Sequence, residues 1–320
     1  MPEERERVPS FPGSGKTVVM PDLGAPTADT HAHLDMLADP AGALVRAARA
    51  GVSLVCSIVD LTEEPEVTLD GLPGWLSRAA EVLDADCVAL GGDEDLGSPT
   101  LAPPDVRLIL GVHPHNASRF NAEVEARLRG MVRTLPAGLV VGLGELGLDF
   151  HYDHSPRDVQ RDSFRRQLAL ANDLGLPVTV HLRAAHDEGL EILREGGAPA
   201  AGCIIHCFTE GPETAARFLA LAPSVMISFA GPVTFAKAQQ VRDSLAVIPF
   251  DRILAETDSP FLAPAPYRGE PNEPSFVTLN VARIAETLGV PSADVAAACM
   301  ANARRVFALD RAPLPGGAHE

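Results

Sequence analysis

Short apolar segments alternate with longer amphipathic segments along most of the chain. Eight apolar segments are five to eight residues long, and most are apolar at nearly every position rather than at every second one. Continuous apolar runs of this length are typical of parallel strands that helices cover. The predicted strands are 27–33, 52–59, 106–112, 139–146, 177–182, 202–207, 225–229 and 253–257.

Most segments between these strands carry apolar residues three and four positions apart, which is the spacing of an amphipathic helix. Two more helices are expected after the last strand. A chain with eight such strand and helix units closes most simply into an α/β (β/α)8 TIM barrel. The predicted helices are 40–50, 122–134, 156–174, 185–194, 211–221, 232–245, 275–288 and 292–308.

The pattern predicts one domain, a barrel over residues 25–310, with a tail at each end. Residues 1–24 are polar, rich in Pro and Gly and without period, so we expect a flexible tail there, and we expect another over 311–320. The link over 60–105 is long for one strand-helix-strand connection and contains the acidic stretch 91–95. This length and composition predict an acidic surface insertion.

Composition is typical of a globular protein of the reducing cytoplasm. Its 320 residues, 46% of them hydrophobic, suit one large α/β domain. No apolar run approaches the roughly 20 residues that cross a bilayer, and the first residues lack the features of a secretory signal. The five cysteines include no Cys-x-x-Cys pair, so we expect reduced, buried thiols. These features predict a cytoplasmic protein, and nothing in them indicates a membrane or a protein partner.

The net charge of −17 limits how the protein could bind nucleic acid. Affinity for long duplex DNA comes mainly from Lys and Arg that replace counterions on the phosphates. A strongly acidic protein is therefore a poor candidate for following a duplex. It can still hold a single phosphodiester through metal ions, so a nucleic-acid substrate would be short, single-stranded or held at an end.

Side chains that commonly bind metals end several of the predicted strands. The carboxyl ends of barrel strands meet at one mouth, where these residues can converge. The two histidines of the first strand lie two positions apart and therefore point to the same face. Each histidine taken alone could equally be a core or surface residue. The six candidate metal ligands are His31, His33, Glu145, His181, His206 and Asp258.

Two of these candidates are carboxylates that could act in catalysis. Glu145 follows an apolar run, where a carboxylate is costly unless it is paired or metal-bound, and it could bridge two divalent ions. Its alternative partner is an arginine such as Arg183. Asp258 ends the last strand and could ligate a metal with one oxygen while the other accepts a proton from water. We expect both to be catalytic.

Several motifs resemble the TatD family of metal-dependent hydrolases. They are spread in family order over residues 28 to 305 and are jointly specific. The resemblance implies a barrel whose mouth holds two divalent ions, and hydrolysis of phosphodiester bonds in DNA, often by trimming single strands from an end. The resembling segments are Ala28–Asp35, Gly111–His115, Gly144–Phe150, Pro177–Arg183, His206–Phe208, Glu256–Leu262 and Asn272–Pro274.

The resemblance also implies how the ions are held. One ion would be held by His31, His33 and Asp258, the other by His181 and His206, with Glu145 between them. Four imidazoles favour Zn, Mn, Co or Ni over Mg, although cellular abundance could load Mg or Mn. The expected cofactors are thus two ions of Zn, Mn or Mg.

Further residues near the predicted mouth are candidates for supporting roles. His113, His115 and Arg183 would contact the substrate phosphate, because ions alone leave one side of its charge exposed. Carboxylates beside the ligands would fix the imidazole tautomers. The candidates for that role are Asp35, Asp149 and Glu256.

Two alternatives remain open at this point. The same centre could hydrolyse a small ester, lactone or amide, which the acidic charge favours. The pair Glu270–Pro271 also favours it, because the family usually carries basic residues there. The other alternative is a barrel that binds metal without catalysis. It is disfavoured because all six ligand types are present, including the carboxylate that would serve as base.

Overall fold

Eight parallel strands form the centre of the molecule. The structure, a computed structural model, describes residues 19–89 and 101–310. The strands pair in chain order, each with the next. They are β1 Thr27–Ala32, β2 Val52–Asp60, β3 Asp105–Gly111, β4 Val140–Asp149, β5 Val178–Arg183, β6 Cys203–Ile205, β7 Val225–Phe229 and β8 Ile253–Ala255.

Helices pack around the strands and follow them in the chain. Short 3₁₀ segments precede or follow several of the strands, including Leu34–Met36 after β1 and Phe250–Arg252 before β8. The α-helices are α1 Pro40–Arg49, α2 Glu66–Ala89, α3 Ala122–Thr134, α4 Arg157–Leu174, α5 His186–Gly196, α6 Pro212–Leu219, α7 Gln239–Ser244, α8 Val277–Leu288 and α9 Ser292–Val306.

The sheet closes where the last strand meets the first. The backbone N–H of Asp258 donates to the carbonyl of His31 at 2.9 Å, and that of His33 donates to Ser259 at 2.8 Å. These bonds lie just after β8, so the closure of the barrel is made at the end that carries candidate ligands. The predicted (β/α)8 barrel is confirmed, and each of the eight predicted strands is observed.

The barrel interior is filled by side chains from separate strands. Leu54, Ile109, Ile204 and Leu254 pack in one buried cluster, which Phe307 joins at the end of α9. Strands that lie far apart in the sheet can share one cluster only inside the cylinder, so this cluster is the interior core. A larger buried cluster lies between the strands and the outer helices.

Two regions differ from the sequence-based expectation. Residues 66–89, half of the expected surface insertion, form α2, whose Trp75 and Leu83 are buried and which packs against α1. This part of the segment is therefore a barrel helix; residues 90–100 lie outside the described residues. At the amino end, the last residues of the expected tail pack on the barrel: Leu23 is buried, and the N–H of Val19 donates to the Tyr267 hydroxyl. Residues 1–18 and 311–320, the rest of the two expected tails, also lie outside the described residues.

Candidate metal centre

Glu145 lies at the centre of a cluster of histidines at the carboxyl end of the barrel. It belongs to β4, and its side chain is only 4% exposed. Its Oε2 lies 3.2 Å from His31 Nε2 and 3.9 Å from His33 Nε2. Its Oε1 lies 2.5 Å from His181 Nδ1 and 3.4 Å from His206 Nε2. The two oxygens of one carboxylate therefore face two different groups of imidazoles.

Asp258 lies beside the first of these groups. Its Oδ1 is 3.6 Å from His31 Nε2 and 3.5 Å from His33 Nε2. The donor atoms of these three residues lie within 4.8 Å of one another, close enough to hold one ion. Asp258 Oδ1 is also 4.0 Å from His206 Nε2. The structure thus brings together all six ligand candidates from five separate parts of the barrel.

His113, an expected substrate contact, lies beside Glu145 and His181. Its Nε2 is 3.5 Å from Glu145 Oε1, and its ring centre is 4.7 Å from that of His181. The donor atoms of His113, Glu145 and His181 form a second group within 4.8 Å. His113 is therefore also placed to bind a cation, beside a residue that the sequence analysis assigned to the second ion.

Close contact between strand backbones sets the position of these residues. The glycines of β4 allow it: a Cβ atom on Gly147 would lie 2.0 Å from the carbonyl oxygen of His181, and one on Gly144 would lie 2.7 Å from that of Thr179. Gly147 also has a φ of 145°, which side chains rarely tolerate. These two positions therefore require glycine for β4 to lie against β5, which brings Glu145 and His181 together.

Asp29 is a buried carboxylate that links the ends of the first and last strands. It was not among the predicted site residues. Asp29 is fully buried and accepts hydrogen bonds from the N–H of Thr257 at 2.8 Å and from its hydroxyl at 2.6 Å. The backbone N–H of His31 also donates to it, at 3.3 Å. The signal in the sequence was a carboxylate inside an apolar strand, where it must be hydrogen-bonded.

Two of the expected supporting carboxylates, Glu256 and Asp149, contact the histidines. Glu256 Oε1 lies 2.7 Å from His206 Nδ1 and accepts a hydrogen bond from the Cys207 N–H at 2.6 Å. Asp149 Oδ2 lies 3.4 Å from His181 Nε2 and 2.8 Å from the Nε2 of His115. Both carboxylates can thus hold a ring in one orientation. Within the described residues, Asp35 Oδ1 is buried without a hydrogen-bond partner.

The charges within the cluster shift the pKa values of its members in opposite directions. Burial alone raises the pKa of Glu145, but the surrounding histidines outweigh burial and hold it well below its usual value. Burial lowers the pKa of His181, whereas Glu145 and Asp149 raise it to about 9. His206 behaves in the same way, and its pKa rises to about 10 mainly through Glu256 and Glu145. The acids and bases of the site stabilise one another's charged forms.

The donor set fits divalent cations. Both ring nitrogens of His31 are buried without a hydrogen-bond partner in the described residues, although Nε2 points at two carboxylates. Burial, the largest effect, lowers the pKa of this ring, so its nitrogen lone pair is available. A neutral imidazole beside carboxylates is a common ligand set for Zn²⁺ or Mn²⁺. A cation would satisfy the buried nitrogen atom that the protein leaves without a partner.

The other predicted substrate contacts line the rim of this site. Arg183 ends β5 with an exposed side chain, and its guanidinium lies 4.6 Å from the ring centre of Tyr152. His115 is 29% exposed and contacts the same tyrosine edge-on, at 5.6 Å between ring centres. The structure therefore gathers Arg183, His115 and Tyr152 on the rim beside β4 and β5.

Comparisons with known proteins agree with this arrangement. The family model described as TatD related DNase matches residues 28–308. The metal-dependent hydrolase YcfH of Escherichia coli strain K12 is 35% identical over 293 residues, covering 89% of this chain and 97% of its own length. The 3'-5' ssDNA/RNA exonuclease TatD of Rahnella sp. strain Y9602 is 38% identical over 203 residues, 62% of this chain and 76% of that protein.

A solved structure supports the same relationship. The crystal structure of YJJV, a TatD homolog from Escherichia coli K12, superimposes with a TM-score of 0.70 at 26% identity. The match covers 88% of this chain and 98% of that one. In the part of the chain that the structure describes, no helix combines the length and apolar character needed to cross a membrane.

Proposed function

The chain belongs to the family of TatD-related DNases and is a metal-dependent hydrolase of ester bonds; on this basis we propose that it hydrolyses phosphodiester bonds in single-stranded nucleic acid, removing nucleotides from an end. The exonuclease name of a relative supports the substrate class. The acidic net charge of −17 favours single strands held at an end over long duplexes.

The observation that carries this proposal is the position of Glu145 between two groups of ligands. Its Oε2 faces His31 and its Oε1 faces His181, at 3.2 and 2.5 Å. A carboxylate shared in this way is the arrangement that a pair of cations requires. We assign His31, His33 and Asp258 to one cation, and His181 and His206, with His113 nearby, to the other.

The residues around the site then have distinct chemical roles. Divalent cations bound here would neutralise the phosphate and promote ionisation of water. Asp258 directs Oδ1 toward His31 and His33, and its second oxygen can orient the attacking water and accept its proton. Arg183, on the rim, can donate hydrogen bonds to the charge that develops on the phosphoryl oxygens, and His115, whose Nε2 contacts Asp149, lies beside it. With these roles, the site would combine a base with an anion-binding side.

Turnover of a 3'-labelled single-stranded oligonucleotide with Mn²⁺, Mg²⁺ or Zn²⁺ tests the proposal. We expect Asp258→Asn to lower kcat by about 100-fold or more, the effect of losing a general base, while most of the metal stays bound. Glu145→Gln should instead reduce the number of bound ions, measured by elemental analysis. Asp251→Asn is a matched control, because Asp251 is exposed before β8 at the other end of the barrel. Full activity of the Asp258 variant would refute the assignment.

A second candidate function is hydrolysis of a small ester, lactone or amide by the same centre. One observation favours it: Asp60, at the end of β2, and Glu63 lie at the same mouth, joined by hydrogen bonds from the Asn116 side chain at 3.0 and 2.9 Å. These carboxylates repel a polyanion on that side. A panel of aryl esters, lactones and phosphodiesters decides between the functions. Turnover of small esters with no loss of oligonucleotide would select the second.

A further inference from the structure

Phe261 is an exposed aromatic residue beside the candidate metal centre. It follows Asp258 by three positions, and half of its side-chain surface is exposed. Its ring centre lies 5.8 Å from that of His33, with the two rings nearly perpendicular. Leu262, next in the chain, is 40% exposed. Exposed apolar side chains that adjoin a site often contact a ligand.

The backbone of Phe261 is held on both sides although its ring is exposed. Its N–H donates to the carbonyl of Asp258 at 2.9 Å, and its carbonyl accepts from the Asn272 side chain at 2.6 Å. Asn272 is buried and also donates to Thr257 at 2.8 Å. Gly231 packs so closely on the Leu262 carbonyl that a Cβ atom there would lie 1.8 Å from its oxygen. The chain therefore presents this ring from a preorganised loop.

The two sides of the mouth differ in chemistry. Phe261 follows β8, whereas Tyr152 and Arg183 follow β4 and end β5, which lie across the barrel from β8 in the strand order. The side near β4 carries the guanidinium of Arg183, a group that commonly binds phosphate. The side near β8 has an apolar ring and Leu262. A ligand that spans the centre would place charge on the first side and an apolar surface on the second.

A nucleotide has this division, because its phosphate is anionic and its base has an uncharged aromatic face. Bases stack on exposed aromatic side chains with little dependence on sequence. We propose that Phe261 forms a nucleobase-stacking subsite, which positions the nucleotide next to the scissile phosphate. This inference rests on the proposed function, and it adds the residue that recognises the base rather than the phosphate.

The experiment compares wild type with Phe261→Ala and Phe261→Trp on single-stranded oligonucleotides. Each oligonucleotide carries one abasic residue at the first, second or third position from the cleaved end. Phe250→Ala is the matched control, since Phe250 is similarly exposed, 42% against 50%, but precedes β8 at the opposite end of the barrel. Metal content is measured for every variant, because Phe261 lies near His33.

We expect Phe261→Ala to lower kcat/KM on the normal oligonucleotide by about 5- to 100-fold, the usual range for one stacked base. Removing the base at one position should lower the kcat/KM of the wild type by the same factor. The same removal should not lower the kcat/KM of Phe261→Ala any further. Phe261→Trp should keep a kcat/KM close to that of the wild type, because tryptophan also offers an aromatic face to a base. A 2-aminopurine at that position should lose fluorescence on binding wild type but not the alanine variant.

Two sets of outcomes would overturn the inference, and they are distinguishable. In the first set, Phe261→Ala keeps the wild-type kcat/KM, or every abasic change lowers the kcat/KM of Phe261→Ala by the same factor as that of the wild type. The oligonucleotide would then be a substrate, but Phe261 would not bind its base. If wild type cleaved no oligonucleotide yet hydrolysed small esters, the proposed function itself would fail, and the subsite with it.

Discussion

The contact of Gly147 with β5 yields a quantitative prediction about the metal centre. In the variant Gly147→Ala, the new Cβ atom would lie 2.0 Å from the carbonyl oxygen of His181, whereas real Cβ atoms essentially never come closer than 3.0 Å to a heavy atom of a residue that is not a chain neighbour. The two strands must therefore separate by about 1 Å or more. The neighbouring atoms are backbone, so no side chain can rotate away.

The cost follows from this displacement. Forced overpacking costs about 1–3 kcal/mol, and the left-handed φ of 145° adds about 1–3 kcal/mol for an alanine. We expect the free energy of unfolding to fall by about 2–6 kcal/mol, the sum of the two effects. Because Glu145 and His181 lie on the two strands that separate, a shift of about 1 Å should also lower turnover on the order of 100-fold.

Urea unfolding followed by circular dichroism measures the first effect, and calorimetric titration with Mn²⁺ measures the affinity of the site. Gly130→Ala is the control: Gly130 lies in α3, and a Cβ atom there would meet nothing within 4 Å. Alanine at that position should leave the metal affinity unchanged and raise stability by about 0.5–1 kcal/mol. Wild-type stability and metal affinity in the Gly147 variant would refute the argument that backbone contact positions the site.

Three further predictions concern buried groups. Glu256→Ala should weaken metal binding about 10- to 100-fold, because His206 loses the carboxylate that orients it. Glu256→Gln should weaken metal binding less. Equal metal affinities of the two variants would contradict this role. Binding of a divalent cation at pH 7 should release protons, since the pKa of His181 is about 9 and that of His206 about 10. Calorimetric titrations in buffers of different ionisation enthalpy measure this release. Heats that are the same in every buffer would contradict the prediction. Burial raises the pKa of Cys203 to about 12, so alkylation at pH 8 should label it only after unfolding, as peptide mass mapping would show.

The strands were predictable because their signal is local. A run of apolar residues at nearly every position reports burial on both faces, whatever the rest of the chain does. Helix α2 is not evident from local sequence, because Gly71, Pro73 and Gly74 disfavour a helix interior. In the fold, burial of Leu72 and Trp75 outweighs these propensities.

The candidate site was predictable in part. The two-residue spacing of His31 and His33, and carboxylates ending apolar runs, indicate a site without any knowledge of distances. The position of His113 beside Glu145 Oε1 was not evident, because it depends on how far β3 and β4 are shifted along each other. The role of Asp29 could not be predicted, because the partner that explains its burial, Thr257, lies 228 positions away in the chain.

The order of strands and helices, the likeness to a hydrolase family and the side chains available at the strand ends all follow from the amino-acid sequence, since each depends on residue type and short-range spacing. The fold adds which nitrogen faces which oxygen of Glu145, which carboxylates hold the rings, and that Phe261 borders the site. Those relations arise when distant strands close into a cylinder, because register and backbone contact across the sheet are not encoded in any one segment.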